Sequence, residues 1–482
     1  MAGPGTFSDE PLTPAGRLFL QPETNVVIHC ILRGKKPINV DAVKSNVESS
    51  VMVQHPRFCS LLVRDKNGFE HWRRIKLDVD KHIIIIKNRL DKSGNFLDSQ
   101  RISGEEDEEE DEAALNQYVA DLSVSSPLST DKPLWELHIL AAHKAALFRV
   151  HHSLGDGISL MSMLMAGCRR ADDPDALPRL TPEKKTVEIK GSKGRNWFWL
   201  LGALWGFLKM VCFTLVFAME FIFRTLFLCD RRTVLTGGDG VELWPRKLAT
   251  AKFLLEDMKL VKKAIPNTTI NDVLFGVVSS GLSRYLDHRT PNAMHQGLRM
   301  TGVAMVNLRA QPGLQDLSKL MQRNSKARWG NRFGVILLPV YHKGGNNPLE
   351  HLRRAKKMVD RKKHSLEAYF SYTIGDLVMS LLGAKYACWL NYRLLCNTTF
   401  TISNIVGPLE EITLASSPVS SIKVNTSSLP QALTMHMLSY NGRAEMQILV
   451  AKDIIPDPEF LAKCFEDALL EMKEAALGIL KD

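Results

Sequence analysis

Apolar and polar positions divide the chain into two mixed stretches separated by one long apolar one. In the first stretch, residues 26–32 and 82–86 are short runs rich in β-branched side chains, the signature of strands. Residues 40–51 read as a helix between them. Two further apolar runs, 135–140 and 145–150, flank His143 and Lys144 and predict a hairpin. That hairpin leads straight into His151-His152-Ser153-Leu154-Gly155-Asp156-Gly157, and a helix-like run follows at 158–166.

The pattern then changes. Residues 182–195 are basic and loop-like, and residues 197–219 carry a single charge, Lys209. As a helix that apolar run measures about 35 Å at 1.5 Å per residue, against a hydrocarbon core of about 30 Å. Arg224, Arg231 and Arg232 follow it. Beyond Gly237-Gly238, strands are predicted at 247–254, 302–308, 334–340, 399–404 and 446–450, and helices at 256–264, 270–286 and 457–477. This gives an α/β chain of mixed sheets with flanking helices. Its expected parts are a first domain at 1–180, a basic and apolar linker at 181–243, and a second domain at 244–482.

Composition supports two domains, since 482 residues exceed what one hydrophobic core usually serves. The net charge of +10 suits an anionic partner, either a nucleotide-bearing molecule or an acidic lipid surface. Nucleic acid is not expected, for there is no zinc-finger spacing, aromatic RNA-binding motif or sustained basic stripe. The eight cysteines form no CxxC pair and read as thiols of a reducing compartment, with no metal site. Residues 1–20 are broken by Pro4, Pro11 and Pro14 and lack the apolar core of a secretory signal. Asn267, Asn397 and Asn425 head N-x-[ST] triplets that a cytosolic chain leaves unused. The acidic run 105–112 reads as a solvated loop or a helix start.

The histidine turn is the candidate chemistry. A neutral imidazole at a strand end accepts a proton near cytosolic pH, and so lets an alcohol attack a carbonyl as its proton departs. A thioester is a suitable acceptor. Asp156 either orients the loop or caps the following helix. Gly155 and Gly157 let the backbone turn tightly and leave room for substrate. Against this stands a structural histidine with no role in catalysis. A Ser-His-Asp hydrolase is disfavoured because no G-x-S-x-G elbow follows a strand. Shared metal ligation is disfavoured because adjacent histidines on a strand point to opposite faces.

HHSLGDG resembles the HHxxxDG motif of the CoA-dependent acyltransferases and peptide-synthetase condensation domains. Other elements narrow the resemblance: His55-Pro56-Arg57-Phe58, Pro133-Leu134-Trp135-Glu136, Asn271-Asp272, Asn307-Leu308-Arg309, Gly330-Asn331-Arg332-Phe333-Gly334 and Ser403-Asn404-Ile405-Val406-Gly407-Pro408. In this order they resemble the plant branch of the wax ester synthase/diacylglycerol acyltransferase family, over nearly the whole chain. The DFGWG element of BAHD-type plant acyltransferases is absent.

The resemblance implies two chloramphenicol-acetyltransferase-like domains sharing one substrate tunnel. It implies acyl transfer from acyl-CoA to a fatty alcohol, making wax esters, with diacylglycerol as a second acceptor. In that scheme His152 is the general base, His151 is secondary and Asp156 keeps the motif's geometry. Asn271 takes a direct role, the alternative being that Asn271 and Asp272, preceded by Asn267, Thr268 and Thr269, only open a helix. Gly157, Asp272, Asn331 and Asn404 border the substrate. Acyl-CoA is a co-substrate, and no metal or redox cofactor is implied. The rival readings are a membrane-tethered lipid-binding protein without turnover and a condensation-domain-like acyltransferase.

The apolar run 197–219 sits awkwardly with a shared site. A single span places the two halves on opposite sides of a bilayer, and two spans need about 40 apolar residues. Three arrangements remain: a helix in the interface plane, a re-entrant segment, or a buried core helix. The first, a monotopic anchor contacting membrane lipid on the cytosolic face of the endoplasmic reticulum or at the cell membrane, is the expectation.

Overall fold

The computed structural model describes residues 10–97, 108–179, 197–291, 297–309, 329–342 and 347–481. In the first half the strands are β1 (Glu10–Pro11), β2 (Val27–Gly34), β3 (Ser60–Arg64), β4 (Glu70–Arg74), β5 (Ile83–Ile86), β6 (Trp135–Leu140), β7 (Ala145–His151) and β8 (Arg169–Arg170). The second half adds β9 (Arg246–Leu254), β10 (Arg299–Asn307), β11 (Phe333–Tyr341), β12 (Phe400–Val406), β13 (Ile412–Leu414), β14 (Ser417–Thr426), β15 (Leu433–Tyr440) and β16 (Arg443–Ala451). Among the described residues they form a seven-stranded sheet, β5-β6-β7-β2-β14-β13-β8, and a six-stranded sheet, β11-β10-β12-β15-β16-β9. A small sheet, β1-β4-β3, stands beside them. Both large sheets are mixed: β5–β6, β10–β12 and β12–β15 are parallel pairs, and the rest are antiparallel.

Sheet membership does not follow position along the chain. β13 and β14 belong by sequence to the second half, yet β14 pairs with β2, with Val424 opposite Cys30. The first sheet is therefore completed by residues that come after four of the six strands of the second. Helix Glu108–Ser125 makes the complementary crossing. Its Leu115 and Val119 share a core with Leu147 of β7 and with Leu248 and Leu449 of β9 and β16.

The start of that helix corrects one expectation. Residues 105–107 lie outside the described residues, and the helix start is as expected, but the last acids of the run are not solvated. Asp111 is buried and accepts from Arg33 Nη2 at 2.5 Å, with His143 Nδ1 2.6 Å from its other oxygen. Glu112 accepts from Lys252 of β9 and Lys423 of β14. Burial pushes the Glu112 carboxyl up, but the two lysines outweigh it and hold it at about 2.

The main core lies on one face of the six-stranded sheet. There the helices Leu255–Lys263, Ile270–Arg289, Pro348–Lys363 and Pro458–Lys481 surround buried side chains such as Val277, Leu282, Met446 and Phe465. Helix Glu367–Cys396 covers β11 so closely that a Cβ at Gly334 would sit 1.9 Å from the Ala368 carbonyl oxygen. Glycine is required at that approach. This long helix bends at Gly383, whose φ of 84° is left-handed.

The apolar run is helical from Trp197 to Leu226, and residues 200–226 are long and apolar enough to cross a membrane. It is not a core helix. One face docks: Thr214 Oγ1 accepts from Leu366 N, Lys362 Nζ lies 3.7 Å from the Phe217 ring centre, and Arg224 donates to Asp230 at 2.6 Å. The other face, including Leu215, Met219 and Phe223, is exposed, as are Leu204, Trp205 and Leu208 before it. The basic stretch 182–195 lies outside the described residues.

Candidate active site

The hairpin sets the site. β6 and β7 pair from Trp135 opposite Val150 to Leu140 opposite Ala145, and β7 runs to His151 beside Val27 of β2. His152 follows in a short 3-10 turn, with its backbone N–H donating to Val26 O at 2.8 Å. Consecutive residues leaving a strand point to opposite faces, and the two histidines therefore meet different surroundings.

His152 lines a cavity of about 220 Å³ between the two large sheets, together with Asp156, Gly157, Thr401, Asn404 and His436. Its ring is held on two sides. Phe19 stacks on it with centroids 4.0 Å apart and planes 19° apart, and Phe333 approaches at 6.0 Å. Asn331 grips it by a pair of hydrogen bonds. The Asn331 side-chain amide donates to His152 O at 2.8 Å, and Asn331 Oδ1 lies 3.0 Å from His152 Nδ1. A carbonyl oxygen only accepts, so the amide nitrogen must face His152 O and Oδ1 must face the ring. Nδ1 therefore carries the proton, leaving Nε2 with a free lone pair. Burial lowers the pKa of His152 below its ordinary value, although Asp156 and the Asn331 hydrogen bond pull the other way. The imidazole is neutral near pH 7 and able to accept a proton.

Asp156 does not touch that ring. Its Oδ1 accepts from Ser159 N at 3.0 Å and caps helix Gly157–Ala166. Its Oδ2 accepts from Arg309 Nη1 at 2.7 Å and from Arg332 N at 2.9 Å. Arg309 also donates to Gly330 O at 2.6 Å and Ser159 Oγ at 3.1 Å. Trp329 Nε1 donates to Leu154 O at 2.6 Å. The buried Asp156–Arg309 pair thus holds segment 329–333, and Asn331 with it, against the histidine turn. Both readings of Asp156, cap and organiser, describe the same carboxylate.

Two expected site residues stand elsewhere. The ring nitrogens of His151 are engaged, Nδ1 with Ser153 and Nε2 with Asn25 Oδ1 at 2.9 Å, and the residue is absent from the cavity wall. Burial and the neighbouring His152 lower its pKa to about 3. It fixes the turn as a neutral group. Asp272 also lies away from the cavity: it forms a capping box with Thr269, accepting from Thr269 N at 2.7 Å. Asn271, beside it, is exposed and reaches the site only through Asn404, whose amide donates to its Oδ1 at 2.7 Å. Gly157 and Asn404 line the His152 cavity, and Asn331 lines the adjoining one.

Sequence reasoning missed four contributors: Arg309, Phe19, Asn25 and His436. For Arg309 a signal existed, a lone basic residue closing an apolar strand within the Asn307-Leu308-Arg309 element. His436, opposite Ser403 in the β12–β15 pairing, is lowered to about 4 by burial and by His152. Nothing in its local pattern sets it apart.

Two large mixed sheets that meet around His152 are the two-domain fold shared by CoA-dependent acyltransferases and condensation domains. Solved structures agree. A wax ester synthase/diacylglycerol acyltransferase from Marinobacter aquaeolei VT8 has a TM-score of 0.58 at 18% identity, covering 97% of this chain and 99% of that one. The trichothecene 15-O-acetyltransferase from Fusarium sporotrichioides gives 0.56 at 12%, covering 97% and 95%. At such identities they show the fold alone.

Family models described as "Wax ester synthase/diacylglycerol acyltransferase catalytic domain" and "WS/DGAT C-terminal domain" match residues 111–274 and 329–473. Arabidopsis thaliana wax ester synthase/diacylglycerol acyltransferase 5 is 36% identical, covering 96% of this chain and 93% of its own length. Number 11 is 35% identical, covering 98% and 96%. The chain belongs to the wax ester synthase/diacylglycerol acyltransferase family.

The ion pair yields a measurable expectation. Removing one partner leaves a buried charge unpaired, at a cost of about 3–5 kcal/mol. Asp156→Ala is expected to lower stability by that order in chemical unfolding followed by tryptophan fluorescence. An unfolding midpoint equal to wild type would show that the pair does not hold the interface.

Proposed function

We propose that the protein transfers a fatty acyl group from acyl-CoA to the hydroxyl of a long-chain alcohol, making a wax ester, and to diacylglycerol as a second acceptor. The observation that carries this reading is the neutral His152 with Nε2 left free in a cavity bounded by both sheets. Nε2 takes the hydroxyl proton as the oxygen bonds to the thioester carbonyl carbon. The carbon–sulfur bond then breaks, and His152 returns the proton to the departing thiolate, giving free CoA and the ester. Asn331 fixes the tautomer this requires, and Asp156 keeps Asn331 in place through Arg309. Asn404 borders the substrate, with Asn271 behind it. His152→Ala is expected to remain folded and lose about 10²–10⁴ of its esterification rate, the usual range for a general base. Turnover equal to wild type with palmitoyl-CoA and octadecanol would refute the assignment.

The pH dependence separates base chemistry from a structural role. A depressed pKa keeps the imidazole neutral as the pH falls, so the acid limb of kcat/KM is expected below the ordinary histidine value of 6.5. Asn331→Asp places a carboxylate beside Nδ1–H, which stabilises the charged ring and moves that limb to higher pH. A limb unmoved in Asn331→Asp would remove Asn331 from the positioning role.

We also propose that the helix Trp197–Leu226 attaches the enzyme to one face of a membrane without crossing it, on the cytosolic side of the endoplasmic reticulum. Its two flanks rest on the same body. Before it, Arg179 Nε donates to Glu410 Oε1 at 2.5 Å. After it, Asp230 N donates to Asn397 O at 3.0 Å. Residues 180–196, which join Arg179 to Trp197, include seven charged side chains. A spanning helix forces that connection back through the bilayer, at about 2.5–3.5 kcal/mol for each charge at mid-depth. Beside the apolar face lies a basic cleft of Lys209, Arg353, Lys357 and Arg361, suited to anionic headgroups. Epitopes placed in the turns at Gly68 and Gly442 are both expected to be cleaved by protease outside sealed microsomes. Protection of only one would overturn the arrangement.

A further inference from the structure

A second cavity, of about 730 Å³, adjoins the His152 cavity. That volume falls within the range of about 300–1,000 Å³ typical of small-molecule sites. One wall is the docked end of the apolar helix, through Phe221, Ile222 and Thr225, and the facing wall is helix Glu367–Cys396, through Gly375, Val378 and Leu390. The two cavities share Leu18, Phe19, Phe333, Val335 and Asn391. Phe19 and Phe333, with ring centroids 6.3 Å apart, form an aromatic partition. The same two rings contact the His152 imidazole. Outward, both helices present large apolar side chains to solvent: Leu215, Met219 and Ile222 on one, and Leu381, Leu382 and Trp389 on the other. So extensive an exposed apolar face marks a surface that meets something apolar.

We infer that this second cavity holds the hydrocarbon chain of the acyl acceptor, which slides in sideways from the bilayer between the two helices. The inference rests on the acyltransferase reading and assigns each substrate its side. The acyl donor carries the charged CoA group and approaches from water. A long-chain alcohol is insoluble in water and resides in the membrane, so it arrives through the apolar face. The cavity opens between the helices that form this face and reaches the base through the partition of Phe19 and Phe333. Asn391 supplies an amide at that partition for the passing hydroxyl.

Gly375 allows a direct test, because a Cβ added there meets nothing within 4 Å. Gly375→Trp fills the chamber without displacing backbone. Full-length enzyme in nanodiscs is assayed with palmitoyl-CoA against decanol and octadecanol, then with octadecanol against decanoyl-CoA and stearoyl-CoA. The preference for octadecanol over decanol is expected to fall by about tenfold, with the acyl-CoA preference unmoved. An unchanged alcohol preference, or a collapse of the acyl-CoA preference instead, would overturn the inference. Photolabelling of the wild type with a diazirine at the chain end of octadecanol supplies a readout independent of turnover and of the variant's folding. Label on the peptides 213–226 or 367–396 is expected, and label confined elsewhere would refute the chamber. Wild type that labels there yet makes no ester sinks the catalytic reading and leaves the chamber standing.

Discussion

One buried ion pair organises the active site. Asp156 lies on the turn that follows the hairpin, and Arg309 lies two residues past the end of β10 in the other sheet. Their contact brings together two pieces of chain more than 150 residues apart, as the 2.7 Å bond between Asp156 Oδ2 and Arg309 Nη1 shows. The surroundings of His152 hang from it. Arg309 and the Arg332 backbone hold segment 329–333, that segment presents Asn331, and Asn331 decides which nitrogen carries the proton. An aspartate placed against the imidazole would have raised its pKa and favoured the charged, inactive form. Committing the carboxylate to arginine and to a helix N-terminus avoids that, and burial alone then sets the ring neutral.

The exposed apolar side follows a second constraint, that a helix cannot be apolar on every face and still dock on a folded body without being buried. The helix Trp197–Leu226 meets it by docking with a few polar groups along one stripe: Thr214 accepts from Leu366 N, Arg224 donates to Asp230 and Arg393 donates to the Thr225 and Leu226 carbonyls, with Lys362 reaching the Phe217 ring. Glu220 adds a bond from Arg299. The remaining surface stays apolar. Helix Glu367–Cys396 lies alongside and extends the same face, although its charges at Asp376 and Lys385 hide it from a hydropathy scan.

Much of the scaffold was legible in the sequence because local pattern and final environment agree. The β6–β7 hairpin, the histidine turn, helix Gly157–Ala166 and the β10 and β11 strands all keep their apolar residues where the core is. The unread elements fail for identifiable reasons. β14 buries Lys423, Asn425 and Thr426, so its pattern is polar where its position is internal. Helix Pro348–Lys363 is dominated by basic residues, and helix Glu367–Cys396 is apolar on both its inner and outer faces, which erases the period. At the site, His152 and Asp156 stood out because they share one short motif. Arg309, Asn25 and Phe19 act by arriving from distant segments, and distance in sequence leaves no local trace. His151 and Asp272 show the converse: they belong to motifs, yet the structure ties the first to Ser153 and Asn25 and sets the second in a helix capping box.

The crossing of β14 into the first sheet also fixes an order of events. A ribosome adds about 5–20 residues per second from the N-terminus, so β2 is made long before the strand that will cover its edge. Helix Trp197–Leu226 emerges in that interval, while the first sheet still lacks β14 and the wall of the His152 cavity carrying Asn404 and His436 does not exist. The apolar helix is therefore complete before the cavity around His152 can form, and that cavity closes only once β12, β14 and β15 have been made.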